Sequence, residues 1–417
     1  MHTEKLEMKS IKTIIFISLV ILTSSFCCRF TNKTDRVTAS KSFKKQVDKA
    51  LPTVVSLTGI QNTEPVKVDM LTKAELGKLI ESRMELEYPN EELKKRARCF
   101  AEIGLLPREY DLENGFVELL KEQAGAIYDP HSRTVIGISD LPHSKKRAIN
   151  DKMIVSHELT HAVQDRIIDI RQHSEMGLKN IDYEYAIRAV LEGMASAIMI
   201  AHTRNLTFDN LPDLQSFWRS NFSKASGEAL SSSPEYVKEY LLSPYAEGGA
   251  FLQSWQRANP QKTMADLFKK IPSSSEQVLH FEKYTERDEP TEIDLSRVRR
   301  ILPKDWKLFY ANTLGEFDLL KLFMFNPKTE TNAVKIADGW DGCRFEAYEI
   351  MNKEIVLIGS SVWDTKNDAK EFQEGFDLLL QSFRDSTDFK IVRRKSRVDF
   401  VIGVTEGNLK DKILSRL

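Results

Sequence analysis

The sequence predicts a helix-dominant α+β fold, with a small antiparallel sheet in its main body and a smaller α/β region at its C-terminal end. Three observations carry that reading. Apolar residues recur at spacings of three and four over long stretches between Thr72 and about residue 300. One short strand-like pattern, Gly125 to Ile138, interrupts them. From about Leu302 onward, strand-like runs at 344–350, 354–363 and 390–404 take over, around a helical stretch at 367–383. At 417 residues and 41% hydrophobic content the chain is long and apolar enough for a substantial core.

The N-terminus reads as a targeting segment. Lys9 and Lys12 precede an apolar run from Ile14 to Leu22, which ends in Thr23-Ser24-Ser25-Phe26-Cys27-Cys28. That run is shorter than the ~20 apolar residues of a spanning helix and suits a signal-peptide core. Residues 1–28 are therefore expected to be a signal peptide. Cys27 or Cys28 is the expected lipidation site of a bacterial lipoprotein, with plain secretion or a retained anchor as alternatives. The expected location is outside the cytoplasm, at the bacterial cell envelope: lipid-anchored to the membrane, otherwise periplasmic or secreted. Residues 29–70 read as a tether and N-terminal extension, with a short strand near 53–59. The two remaining cysteines, Cys99 and Cys343, have no spacing pattern and read as free buried thiols.

Residues 71–300 form the expected main domain. Thr72-Lys73-Ala74-Glu75 has the form of a capping box ahead of Leu76, Leu79, Ile80 and Met84. Asn90 is the expected cap of a second helix that Gly104 and Pro107 close, and a third runs from about Arg108 to Glu122. Gly125–Asp129 and Thr134–Ile138 flank Pro130-His131-Ser132-Arg133 as a β-hairpin. Helices follow over about 145–172 and 183–205, and then a mostly helical stretch broken at Pro212, Pro234, Pro244, Pro260 and Pro272. Residues 301–417 form the C-terminal α/β region.

Charge excludes one class of partner. With 60 basic against 61 acidic residues there is no global field for nucleic acid. The local runs Arg297–Arg300 and Arg393–Arg397 read as solvated faces.

One pentapeptide carries chemistry. In His157-Glu158-Leu159-Thr160-His161 the two histidines are four positions apart, about 40° around a helix, so both imidazoles leave one face. Two neutral imidazoles so placed are half of a tetrahedral zinc site. Glu158 beside them is suited to take a proton from a water activated by the metal. A catalytic zinc needs a third protein ligand. A metzincin would carry a histidine six residues beyond His161, where Ile167 stands, and a glycine between, where Gln164 stands. His173, His202, Glu175 and Glu184 are alternatives, but Glu192 is the expected ligand. It lies in the apolar run Ala189–Ile198, where a carboxylate is costly to bury without a cation. Gly193 and Ala195 are expected to let that helix lie close to the histidine helix.

His157-Glu158-Leu159-Thr160-His161-Ala162-Val163-Gln164-Asp165 together with Leu191-Glu192-Gly193-Met194-Ala195 resembles the gluzincin metallopeptidases, the thermolysin and aminopeptidase type. Their third ligand is a glutamate on the next helix. The interval here, residues 162–191, is longer than theirs, which implies a longer loop over 170–182. The chain after about residue 95 is more closely similar to a group of poorly characterised bacterial exported metallopeptidase-like proteins. That similarity includes Gly125–Pro130, Tyr245–Phe251, Ser274–His280 and Gly339-Trp340-Asp341-Gly342. Related sequences often carry aspartate at the place of Cys343. The resemblance implies a zincin-like core and one Zn2+ at a peptidase site but supplies no particular substrate; the expected partner is a peptide or protein substrate.

Further residues take expected roles around such a site. Asp165, one turn beyond His161, is suited to orient a ligand. Ser196 stands where thermolysin-like enzymes carry an orienting aspartate, and as a serine would act only weakly. The strand Ala126-Ile127-Tyr128 is suited to hold an extended peptide by strand addition. His280, Tyr245 and Tyr284 are candidate donors to the oxyanion of a tetrahedral intermediate. Three functions remain open: a zinc-dependent peptidase, a zinc-binding envelope scaffold with weak or no turnover, and a non-peptidase zinc hydrolase.

Overall fold

The first described element is a helix, α1 (Lys33–Thr58), where a tether and then a short strand were expected. Val47, Ala50 and Val54 recur at helical spacing and are buried in the core, so the polar stretch before them continues into one packed helix. The computed structural model describes residues 33–61, 64–140, 145–225, 227–403, 405 and 407–417. The expected signal peptide, with Cys27 and Cys28, lies outside the described residues. Among the described residues, no helix is long and apolar enough to cross a membrane.

Strand β1 (Lys67–Leu71) leads into three helices, α2 (Lys73–Glu87), α3 (Glu92–Ile103) and α4 (Leu112–Gln123). The capping box stands as read: Thr72 Oγ1 accepts the Glu75 N–H at 3.2 Å and Glu75 accepts the Thr72 N–H at 2.8 Å. Asn90 is not the cap of α3. Asn90 and Glu91 both take left-handed backbone angles, and the N-cap Glu91 makes no side-chain capping bond. Gly104 ends α3 at φ 86°, a conformation that glycine adopts without strain.

The hairpin β2 (Ala126–Asp129) and β3 (Thr134–Ile138) forms as predicted. The sheet is mixed rather than antiparallel, in order β1-β3-β2, because β1 adds parallel to β3. The crossover a parallel pair requires is supplied by α2–α4.

The helix expected over 145–172 is two: α5 (Lys145–Gln164) and α6 (Ile170–Gly177). Two aspartates break it. Asp165 Oδ1 accepts the Ile170 N–H at 3.0 Å, and Asp169 caps α6 through the N–H groups of Arg171 and Gln172. The stretch expected as a long loop over 170–182 is thus largely α6. Helix α7 (Ile181–Arg204) follows, capped by Asn180 and closed by Asn205 at φ 52°. Then come α8 (Leu214–Phe222), α9 (Glu228–Ser232) and α10 (Glu235–Ala258). Pro244 does not break α10 but lies inside it.

Gly193 meets α10, not the histidine helix. A Cβ on Gly193 would lie 2.3 Å from the Gly248 carbonyl carbon, and one on Gly248 would lie 1.8 Å from Ala189 O. The two helices therefore touch backbone to backbone, one residue from Glu192.

The C-terminal region is an antiparallel sheet of β4 (Lys307–Asn312), β5 (Trp340–Glu349), β6 (Ile355–Trp363), β7 (Phe389–Arg394) and β8 (Arg397–Ile402), in order β4-β5-β6-β8-β7. Its faces alternate: Leu357 joins the main core, and Ile358 a smaller cluster on the other side. The main core runs without interruption from α1 to this sheet. Asn312, at the end of β4, accepts the Ile181 N–H at 2.9 Å and donates to Leu178 O at 3.1 Å. It thereby fixes the corner from which α7 starts. Arg299 pairs with Glu346, and Arg394 and Arg397 with buried Asp399, so both basic runs are partly neutralised inside the fold. Cys99 and Cys343 are free and buried, as read.

Candidate metal centre

Helices α5 and α7 pack side by side, and three donor atoms converge between them. His157 Nε2 lies 3.0 Å from Glu192 Oε2 and 3.2 Å from His161 Nε2, and the His161 Nε2 to Glu192 Oε2 distance is 3.6 Å. Four ligands held tetrahedrally at zinc bond lengths sit about 3.3 Å apart, so the three atoms have the spacing of three corners of such a site. All three side chains are at most 2% exposed. Burial alone would raise the Glu192 carboxyl, but His161 and His157 beside it hold it well below the usual carboxylate range. Burial lowers the His157 imidazole below its ordinary value, favouring the neutral ring that a metal requires.

Gln164 fixes one of these rings, a role that no sequence pattern announced. His161 Nδ1 is 2.8 Å from Gln164 Oε1, and Gln164 Nε2 donates to Leu191 O at 3.1 Å. His157 has no such partner: among the described residues its buried Nδ1 makes no hydrogen bond.

Glu158 leaves α5 toward the hairpin. Its Oε2 accepts the Tyr128 N–H at 2.7 Å. The Tyr128 hydroxyl donates to Asp165 Oδ2, also at 2.7 Å, so Tyr128 is tied to α5 and to the residue that follows it, at two points seven residues apart. Asp165 therefore does not orient a histidine; it holds Tyr128 and the start of α6. The free strand edge expected at Ala126-Ile127-Tyr128 is also corrected: all three residues are buried, and the Tyr128 N–H is taken by Glu158. Ser196 is fully buried and its Oγ makes no hydrogen bond among the described residues, so it orients no ligand.

Tyr245 reaches the site. Its ring stacks on His157, with centroids 5.8 Å apart and planes at 18°, and is backed by Trp218 and Phe222 of α8. His280 does not. Its Nε2 pairs with Glu316 Oε1 at 2.7 Å, and that bond lifts the imidazole to about 9. The adjoining helix Ser275–Leu279 docks on the first turn of α7 through Asp182, which accepts the Ser275 N–H. Glu192 lies ten residues further along, about 15 Å in a helix. Tyr284 donates to Lys270 O in a cluster with Phe251 and Phe281. Three of the four alternative ligands are engaged elsewhere: Glu184 with Arg96 and Tyr88, His173 with Tyr183, and His202 with Ser156.

Two other groups of described residues have metal-like spacing, His280–Glu316–Asp338 and Glu276–Asp288–Asp364. The second already holds a cation, since Lys283 Nζ lies 3.1, 2.7 and 2.5 Å from its three carboxylates.

A family described as a domain of unknown function, DUF8575, matches residues 307–412, which hold the second sheet and not the metal-like triad. No curated protein and no solved structure matches the chain.

Proposed function

We propose that this chain is a zinc-dependent peptide-bond hydrolase of gluzincin type, with a zincin-like core, exported to the bacterial cell envelope. The observation that carries the reading is the convergence of His157, His161 and Glu192 donor atoms within 3.0–3.6 Å, beside a carboxylate on the same helix. The donor set fits the ion. His161 Nε2 and Glu192 Oε2 are both lone-pair atoms once Gln164 holds the His161 proton on Nδ1, and two such buried atoms repel unless a cation, or a proton on the neighbouring His157 Nε2, lies between them.

His157, His161 and Glu192 would hold one Zn2+, which when bound supplies Lewis-acid activation of a water and of the scissile carbonyl. Glu158 takes the proton of the attacking water and passes it to the leaving amine. The Tyr128 N–H holds that carboxylate in place while it waits. Tyr245, stacked on His157, is the tyrosine on hand to donate to the oxyanion.

The test is Glu158→Gln beside Glu192→Ala. The first is expected to retain zinc and lose cleavage of a peptide library, and the second to lose zinc. Persistent cleavage in Glu158→Gln, or unchanged zinc stoichiometry and affinity in Glu192→Ala, sinks the assignment. A zinc-binding scaffold with little turnover is the second reading, favoured by the near-complete burial of the triad. It predicts bound zinc in the wild type with little or no cleavage across the library.

A further inference from the structure

We infer that Gln164 is the positioning residue of the metal centre: it dictates which nitrogen of His161 faces the metal and couples that ring to the helix carrying Glu192. The inference rests on the metal-site reading above, but its argument starts from the backbone. Leu191 O is a carbonyl and only accepts. The Gln164 atom 3.1 Å from it must therefore be the amide nitrogen, which leaves the amide oxygen facing His161 at 2.8 Å. An oxygen acceptor there requires the His161 proton to be on Nδ1. The Nε2 lone pair is then free, aimed at the space shared with His157 Nε2 and Glu192 Oε2. A flipped amide would set oxygen against the Leu191 carbonyl and lose that bond, so the carbonyl fixes the amide and the amide oxygen then fixes the tautomer of His161.

The placement along the chain matters as much as the orientation. Gln164 is three residues after His161, within one turn of α5, and Leu191 is the residue before Glu192. One amide thus spans from one ligand's ring to the peptide unit next to another ligand, and it is itself fully buried. Zinc sites generally hold such a ring by a carboxylate or a backbone carbonyl. A neutral amide adds no negative charge to a site that already contains Glu192 and Glu158. Its second arm also gives the site something a carboxylate lacks: a donor to the neighbouring helix.

The test compares wild type, Gln164→Leu and Gln164→Glu in the purified chain. Leucine removes both arms at similar volume, and glutamate keeps an acceptor for Nδ1–H but loses the donor to Leu191 O. In the metal-free protein, ring 15N shifts should show His161 protonated on Nδ1 in wild type and in Gln164→Glu, and that preference should be lost in Gln164→Leu. With Zn2+ in competition against a chromophoric chelator, Gln164→Leu should bind about 10–100-fold more weakly, with a changed Co2+ visible spectrum, and Gln164→Glu should recover most of the affinity. His161 protonated on Nε2 in wild type, or zinc affinity and Co2+ spectrum unchanged in Gln164→Leu, overturns the inference. Wild type with the Nδ1–H tautomer but no stoichiometric Zn2+ or Co2+ binding sinks the metal-site reading and leaves the positioning of the ring standing.

Discussion

The backbone N–H of Tyr128 points at Glu158 Oε2 across 2.7 Å, so a strand residue helps to aim the carboxylate beside the two histidines. Glu158→Gln keeps an amide oxygen that can accept this bond. The variant should therefore fold and bind zinc as wild type does while kcat/KM for peptide cleavage drops by roughly 10²–10⁴-fold. Activity assays beside metal analysis would check this, and loss of zinc with loss of activity would point to collapse of the site instead.

Tyr128→Phe tests the other end of the same residue. It removes the hydroxyl that donates to Asp165, a buried carboxylate that burial already pushes above its ordinary value. The Asp165 bond to the Ile170 N–H remains. Stability should fall by about 1–3 kcal/mol, read by denaturant unfolding. Zinc affinity should stay within a few-fold, because no donor atom is touched.

The contact of α7 with α10 leaves no room for a methyl group. Gly248→Ala should lower stability by at least about 1–3 kcal/mol, since its Cβ would meet Ala189 O at 1.8 Å. Gly193→Ala should do the same and also weaken zinc binding, because any shift of α7 there moves the adjacent Glu192. Thermal unfolding and chelator competition would separate the two effects.

A pH dependence should come from His280. Its hydrogen bond to Glu316 lifts the folded imidazole to about 9, above the unfolded value near 6.5. Below about 6.5 both states are protonated and the stabilisation is fully present. It declines as pH rises from there and is lost through about 9. Burial raises Glu316 and lifts Glu276 to about 8, which adds a loss of the same sign as they ionise. The difference in stability between wild type and His280→Ala isolates the histidine. It should be largest near pH 6 and shrink toward pH 9–10. A flat difference would contradict the pairing.

The metal-like pentapeptide and Glu192 were legible because both follow from rules of one helix: a four-residue spacing, and a carboxylate in an apolar run. The Thr72–Glu75 capping box and the hairpin were legible for the same reason, since their partners are close in sequence. Gln164 was not, because its meaning depends on Leu191 O, which only the packing of α5 on α7 brings near. Helix α1 was hidden by its polar composition before Val47, a stretch whose fate is set by tertiary burial of a few residues. The break after Gln164 was hidden by apolar residues that continue into α6. Asp165 and Asp169 decide it through local capping that competes with helix continuation. His280 was drawn toward the site by residue type alone, and its true partner lies 36 residues on.

The depth of the triad bears on how fast an ion could enter or leave it. With His157, His161 and Glu192 at most 2% exposed, and Tyr245 stacked on His157 and backed by Trp218 and Phe222, exchange requires a local opening of the structure around them. Stripping by a chelator should then run at a rate set by that opening. It should rise with chelator at low concentration and become independent of it at high concentration, so that loading of the chain is a matter of history as well as of affinity.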